Sequence, residues 1–191
     1  MKQLRIFLIA ILAVGLAFGL MTSCQQMPTA PVATPSSARF QVVPVNPDYI
    51  GLAKMAQSDT SFITVADGGS LGGYFETDNN YVNIPPNTLT EDLYLAFSLV
   101  YVDDPADSLY GALGFSLSSF SDSTGGGASE HVMFTEGNYA TLYVNKVWLN
   151  GTPNAVVNLE TGEIVSGVVD AGEYWAIQVP HFSVWSWVWN L

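Results

Sequence analysis

The residues best suited to chemistry lie near the C-terminus, in the tripeptide His181-Phe182-Ser183. Histidine is the commonest general base in proteins, and a serine hydroxyl activated by a base becomes a nucleophile. Side chains at i and i+2 of a strand lie on the same side, so a strand here would place His181 beside Ser183. These two residues are the candidate catalytic pair. In the structural alternative, His181 binds a neighbouring loop, Phe182 packs into the core and Ser183 lies on the sheet.

The tripeptide opens an aromatic stretch that has the composition of a closing β-strand. It holds three of the five tryptophans, Trp185, Trp187 and Trp189. Alternation predicts that they share one face, and that the other face carries Phe182, Val184 and Val188. An exposed tryptophan face would be a flat ligand-binding surface for sugar rings or a partner protein. A buried face would be core, and the burial tendency of tryptophan favours that interpretation.

A third candidate is the acidic loop with Asp103, Asp104 and Asp107, whose carboxylates are the ligands that calcium prefers. Their spacing matches no EF-hand, so a solvated acidic loop is the favoured interpretation and no metal is predicted. The single cysteine, Cys24, excludes an intramolecular disulfide and a zinc site built on several cysteines.

The charge balance excludes one class of partner. Seventeen acidic residues stand against five basic ones, for a formal net charge of −12. Two of the basic residues, Lys2 and Arg5, lie in the N-terminal segment, so the rest of the chain is more acidic still. Such a surface repels phosphate backbones, and nucleic acid is not an expected partner.

The N-terminus has the layout of a secretory signal peptide over residues 1–23. Lys2 and Arg5 precede an apolar run from Ile6 to Met21, which is shorter than a bilayer span requires. Small residues then lead to Cys24. An uncleaved anchor, or a secreted protein with a stray cysteine, are the alternatives.

The segment Met21-Thr22-Ser23-Cys24 resembles the bacterial lipobox, with methionine where that motif prefers leucine. The resemblance implies cleavage before Cys24, diacylglycerol on its sulfur, and an acyl chain such as palmitate on its freed amine. Several acyl chains together give stable membrane anchoring. The expected location is therefore the bacterial cell envelope. Gln25 rather than aspartate follows the cysteine, and by resemblance to enterobacterial sorting rules this favours the outer membrane where the cell has one.

Residues 24–60 are predicted to form a proline-rich linker and lead-in, and the sequence leaves open whether Phe40 to Pro44 belongs to the linker or already lies against the domain. Residues 61–191 then read as short strands, among them Val147–Leu149 and Glu163–Val169, separated by turn signals such as Asn150-Gly151. No stretch keeps a helical apolar period. The predicted fold is all-β, an antiparallel β-sandwich of about nine to eleven short strands.

Two separated segments of this domain resemble the ZU-five family of β-sandwiches, found in netrin receptors, tight-junction scaffolds, ankyrins and bacterial lipoproteins. The first runs from Gly72-Gly-Tyr-Phe75 through Val82-Asn-Ile-Pro-Pro86 to Leu89 and Glu91-Asp92. The second is Val179-Pro-His-Phe-Ser183, similar to the closing "HFS" strand of the family. The resemblance covers roughly residues 69–191.

The resemblance implies a recognition module that binds partner proteins or packs against neighbouring domains. It also implies an alternative, since a few family members cut themselves between Phe and Ser of this motif. In that reaction Ser183 would attack the Phe182 carbonyl, with His181 as the base, and an N-to-O acyl shift would give an ester that water hydrolyses.

Three hypotheses about function follow. The first is a lipid-anchored envelope lipoprotein whose sandwich is a binding or structural module and not an enzyme, with no cofactor beyond the lipid on Cys24. Its expected partners are the membrane and an envelope protein or glycan. The second is an autoproteolytic domain, and the third is a glycan-binding module that uses the C-terminal tryptophans.

Overall fold

The computed structural model describes residues 40–55, 58–72, 79–120, 128–129 and 134–191. Two antiparallel sheets pack face to face, which confirms the predicted all-β sandwich. The described residues form thirteen strands: β1 (Phe40–Val42), β2 (Ser58–Ile63), β3 (Gly69–Gly72), β4 (Tyr81–Ile84), β5 (Leu93–Tyr101), β6 (Leu113–Phe120), β7 (Ala128–Ser129), β8 (Ala140–Asn145), β9 (Ala155–Asn158), β10 (Ile164–Ser166), β11 (Val169–Ala171), β12 (Tyr174–Val179) and β13 (Val184–Asn190). The short helix α1 (Ile50–Ala53) and 3-10 turns at Pro47–Tyr49 and Lys146–Trp148 complete the described elements.

The larger sheet has eight strands in the order β10-β9-β13-β6-β5-β2, with β1 on β13 and β7 on β6. The closing strand β13 is therefore an interior strand. One of its edges pairs with β9, and the other pairs first with β6 and then with β1. The smaller sheet has five strands in the order β11-β12-β8-β4-β3.

The core lies between the sheets and follows from strict alternation along the strands. On β5, Leu93, Leu95 and Phe97 are buried and point inward, while Tyr94, after Leu93, and Ser98, after Phe97, are half-buried and point outward. The smaller sheet contributes inward apolar residues in the same way, among them Val82, Ile84, Leu142, Val144, Ile177 and Val179. This period of two is the signal that predicted the strands.

The sandwich begins before the predicted boundary at Ser61. Strand β1 pairs with the end of β13, from Phe40 opposite Asn190 to Val42 opposite Val188, and Val43 after it is fully buried. Strand β2 starts at Ser58. The predicted linker over 24–60 is therefore too long at its C-terminal end, because apolar residues from Phe40 onward have an open edge of β13 to pair with.

Two predicted strands take other forms. A strand expected over Glu163–Val169 breaks at Gly167 into β10 of the larger sheet and β11 of the smaller one. A strand expected over Val147–Leu149 is instead part of a 3-10 turn, capped where the Asn145 side chain accepts a hydrogen bond from the Val147 backbone nitrogen. That turn buries Trp148 completely. The break at Gly167 gives two strands in place of one. Together with the short strands β1 and β7, it raises the strand count above the predicted nine to eleven.

Candidate functional site

The His181-Phe182-Ser183 tripeptide lies between the end of β12 and the start of β13, beside the turn that joins β9 to β10. The Asn158 side chain shapes that turn by accepting hydrogen bonds from the backbone nitrogens of Glu160 and Thr161, at 2.9 and 3.2 Å. An asparagine that binds its own following backbone is a standard way to fix a tight turn. As a result, Glu160 and Glu163 both face the tripeptide.

Each polar side chain of the tripeptide contacts one of these two glutamates. The Ser183 hydroxyl donates to Oε2 of Glu160 at 3.0 Å, and Ser183 is 6% exposed. Nε2 of His181 lies 2.8 Å from Oε2 of Glu163. The structure therefore brings His181 and Ser183 to the same turn, as their spacing predicted, but gives each a separate carboxylate partner.

The orientation of the His181 ring does not fit the role of base for Ser183. Its Nδ1 lies 3.1 Å from the Phe182 carbonyl oxygen, which can only accept, so this contact is a hydrogen bond in the tautomer that has its proton on Nδ1. Its other nitrogen faces Glu163. The base-type group in contact with the Ser183 hydroxyl is Glu160, and His181 is instead a donor to the Phe182 carbonyl.

The backbone and rings around the tripeptide hold it in place. The Ser183 carbonyl accepts from the Leu117 nitrogen at 3.2 Å, and the Trp185 indole donates to the His181 carbonyl at 3.3 Å. Phe182 is buried in the main core, edge-on to Phe134 with ring centroids 4.7 Å apart. The expectation that Phe182 shares a face with Val188 is therefore wrong, because the chain bends at residues 182 and 183 before β13 begins.

The candidate tryptophans are core residues for the most part. Trp185 and Trp187 are 1% and 0% exposed and face inward between the sheets. Trp189 is half-buried, and its indole donates to the Thr152 carbonyl at 2.7 Å while its ring lies over Gly151. Neither Trp185 nor Trp187 offers a ring face to solvent, so the closing strand does not present the flat tryptophan surface that sugar binding requires.

The acidic loop uses its carboxylates locally. Asp103 pairs with Lys54 at 2.7 Å. Asp104 accepts from the Ala106 nitrogen and Asp107 from the Leu109 nitrogen, each at 2.9 Å. Within the described ranges, no three His, Cys, Asp or Glu side chains come together as a metal site.

Sequence reasoning missed three tyrosines on the outer face of the smaller sheet, Tyr81, Tyr143 and Tyr174, which we call the tyrosine cluster. The rings of Tyr81 and Tyr143 stack across β4 and β8 with centroids 4.5 Å apart, and Tyr174 meets both edge-on. Burial raises the pKa of the Tyr81 hydroxyl, and the two neighbouring tyrosines raise it further. Alternation of Tyr81 with the apolar Val82 was the available signal, but only the sheet order brings the three rings together.

Charged side chains are absent from the described outward strand positions of both sheets. On the larger sheet the outward residues of β2, β5 and β6 are Ser58, Thr60, Phe62, Tyr94, Ala96, Ser98, Val100, Gly114, Ser116, Ser118 and Phe120. On the smaller sheet those of β3, β4, β8 and β12 are Ser70, Gly72, Tyr81, Asn83, Thr141, Tyr143, Asn145, Tyr174, Ala176 and Gln178. The acidic residues that the structure describes lie mainly in turns and at strand ends.

The predicted signal peptide, Cys24 and the tail up to residue 39 lie outside the described residues, as do Gly73-Tyr74-Phe75 of the family resemblance. Among the residues that are described, no helix is both long and apolar enough to cross a membrane. Comparison with protein-family models, with curated proteins and with solved structures finds nothing that matches this chain.

Proposed function

We propose that this protein is a lipid-anchored lipoprotein of the bacterial cell envelope and that its β-sandwich is a binding or structural module of ZU-five type. The observation that carries the binding role is the distribution of charge. A chain with a net charge of −12 keeps the outward strand positions of both sheets uncharged over the described residues. Flat uncharged faces with partly exposed aromatic rings are typical of contact surfaces.

The sequence of the N-terminal segment supports the proposal of a lipid anchor. A positive N-terminus, an apolar run and small residues before Cys24 match what lipoprotein export requires. The acidic surface argues against nucleic acid as a partner. The burial of Trp185 and Trp187 argues against a glycan-binding module that uses the C-terminal tryptophans.

The Cys24→Ser variant tests the anchor. The wild-type protein is expected in the membrane fraction with acyl chains on Cys24, and the variant is expected to carry no acyl chain, because serine accepts no thioether-linked lipid. Fractionation with mass spectrometry of the N-terminal peptide gives the measurement. A Thr22→Ser change just before the cleavage site is the matched control and should leave anchoring intact. Wild-type protein whose Cys24 thiol is free to react with maleimide would contradict the proposal.

Self-cleavage between Phe182 and Ser183 is the second candidate, and the 3.0 Å contact between Ser183 and Glu160 favours it. Glu160 would take the hydroxyl proton as the Ser183 oxygen bonds to the Phe182 carbonyl carbon. His181 would donate to the developing oxyanion. The carbon–nitrogen bond then breaks, the proton passes to the Ser183 nitrogen, and water hydrolyses the resulting ester.

This candidate predicts two masses under denaturing conditions, with residues 183–191 as the released piece. Denaturant is necessary because β13 pairs with β1, β6 and β9 and would hold a cut strand in place. Ser183→Ala should abolish the cut, and Glu160→Gln should slow it at least about a hundredfold if Glu160 is the base. Glu173→Gln, at an exposed glutamate outside this turn, is the matched control. A single full-length mass for the wild-type protein removes this candidate.

A further inference from the structure

A row of uncharged polar side chains crosses the outer face of the smaller sheet. Gln178, Thr141, Asn83 and Ser70 stand opposite one another in register, on β12, β8, β4 and β3. The Ser70 hydroxyl donates to the Asn83 side-chain oxygen at 3.0 Å, while Gln178 at the other end is exposed. Amides and hydroxyls of this kind both donate and accept hydrogen bonds.

Two members of the tyrosine cluster, Tyr81 and Tyr143, form a row parallel to this polar row and displaced from it by two residues along the strands. Tyr174 lies one row further, opposite Asn145. Tyr143 stands opposite Tyr81 and next to Ala176, and Gly72 stands opposite Tyr81 on β3. The neighbours at the two ends of this row, a methyl group and a glycine, are small. The stacked rings of Tyr81 and Tyr143 therefore project further from the sheet than these two small neighbours. They lie directly beside the amide and hydroxyl side chains of the polar row.

Among the described residues, the outward strand positions of this face carry no charge that would select an ionic partner. Lys146 and Asp170 form an ion pair at 2.6 Å near the edge of the sheet, and the Lys146 ammonium also lies 4.3 Å from the centre of the Trp175 ring. At the opposite edge, the Asp59 carboxylate accepts a hydrogen bond from the Gly72 nitrogen at 2.9 Å. Because Lys146 is already paired with Asp170, it is not a free cation for a phosphate backbone or acidic polymer, and the acidic chain would repel such a partner. An apolar partner would leave the polar row without hydrogen bonds.

We propose that this outer face binds an uncharged oligosaccharide, with sugar C–H groups on the tyrosine rings and sugar hydroxyls on the polar row. This deepens, and rests on, the proposed function as a binding module. An uncharged polyhydroxyl chain matches both halves of the face, since it has apolar ring surfaces and an excess of donors and acceptors. The row spans three strand spacings, about 14 Å at the usual inter-strand distance, which is the length of a short oligosaccharide.

Titration calorimetry of the acylated full-length protein in detergent, with neutral hexasaccharides of glucose, mannose, galactose and N-acetylglucosamine as probes, tests the assignment. At least one probe should bind. Gln178→Ala should weaken that binding about three- to tenfold through a lost hydrogen bond, and Tyr81→Ala by a similar factor through lost ring contact. Gln178 is exposed, so its variant keeps the fold even if Tyr81→Ala does not.

Two controls give the test its specificity. Phe62→Ala removes an aromatic ring that is 49% exposed on the opposite sheet, and it should leave the affinity unchanged. A galacturonic acid hexasaccharide should bind more weakly than its neutral counterpart. The assignment is overturned if no neutral probe binds at millimolar concentration, or if Gln178→Ala and Tyr81→Ala leave binding unchanged.

The failure of this assignment is distinguishable from failure of the proposed function. Photo-crosslinkers placed at Gln178 and at Phe62 in living cells report whether either face meets an envelope protein. A crosslinked partner together with a silent hexasaccharide panel would overturn the oligosaccharide and leave the binding module in place. If no hexasaccharide binds and no envelope protein is crosslinked at either position, both proposals are contradicted.

Discussion

Replacing Trp187 by alanine is expected to lower the free energy of unfolding by about 4 kcal/mol, near the upper end for large-to-small core changes. The side chain is fully buried and meets Phe115 edge-on, with ring centroids 6.1 Å apart. It lies in the middle of β13, between β9 and the strands on its other edge, so the surrounding backbone has little freedom to collapse into the cavity. Urea unfolding gives the measurement through the midpoint and slope.

A pair of phenylalanine substitutions separates the role of the indole N–H from that of the ring. Within the described part of the chain, the Trp187 indole nitrogen has no hydrogen-bond partner, whereas that of Trp185 donates to the His181 carbonyl. Trp185→Phe removes a bond, and Trp187→Phe removes an unsatisfied buried donor. We therefore expect Trp185→Phe to cost about 1 kcal/mol more than Trp187→Phe. Equal costs, or the reverse order, would contradict this account.

The alternation of residue types along the chain was enough to predict the all-β fold class and to favour a buried tryptophan face on the closing strand. Alternation along residues 184–190 placed Trp185 and Trp187 on one face, and the structure puts that face in the core. The pairing of Phe40 with Asn190 could not be predicted in the same way, because it joins residues at opposite ends of the domain. A short apolar segment after a proline-rich tail becomes a strand only when an edge is free to receive it.

The same distinction between local pattern and tertiary contact applies to the candidate site. The types and spacing of His181 and Ser183 predicted that they lie on one side, and both do face the β9–β10 turn. Their partners Glu160 and Glu163 are about twenty residues away, and only the position of β9 next to β13 brings them close. The bend that sends Phe182 into the core also depends on tertiary contact, here with Phe134. A residue role that depends on the order of the strands in the sheet cannot be predicted from the alternation of residues along a single strand.

Gly68 is a position where tertiary contact makes the residue type obligatory. Its φ of 64° lies in the left-handed region, at the end of a tight turn in which its nitrogen donates to the Thr64 carbonyl at 3.0 Å. A Cβ here would collide with the Ile84 carbonyl oxygen and lie 2.8 Å from backbone atoms of Pro85 and Pro86. These are main-chain atoms of a segment whose Ile84 side chain is buried in the core, so they cannot move aside without disturbing it.

Gly68→Ala is therefore expected to lower the free energy of unfolding by about 3 kcal/mol or more, as a left-handed penalty of about 1–2 kcal/mol plus a packing cost of about 1–3 kcal/mol. Gly172→Ala is the matched control. Its φ is 78°, and no atom of the described residues lies within 4 Å of the added Cβ, so only the left-handed penalty applies. Both variants can be measured by urea unfolding. If Gly68→Ala were no more costly than Gly172→Ala, the close approach of the Thr64–Gly68 turn to the Ile84–Pro86 backbone would not contribute to the stability of the sandwich.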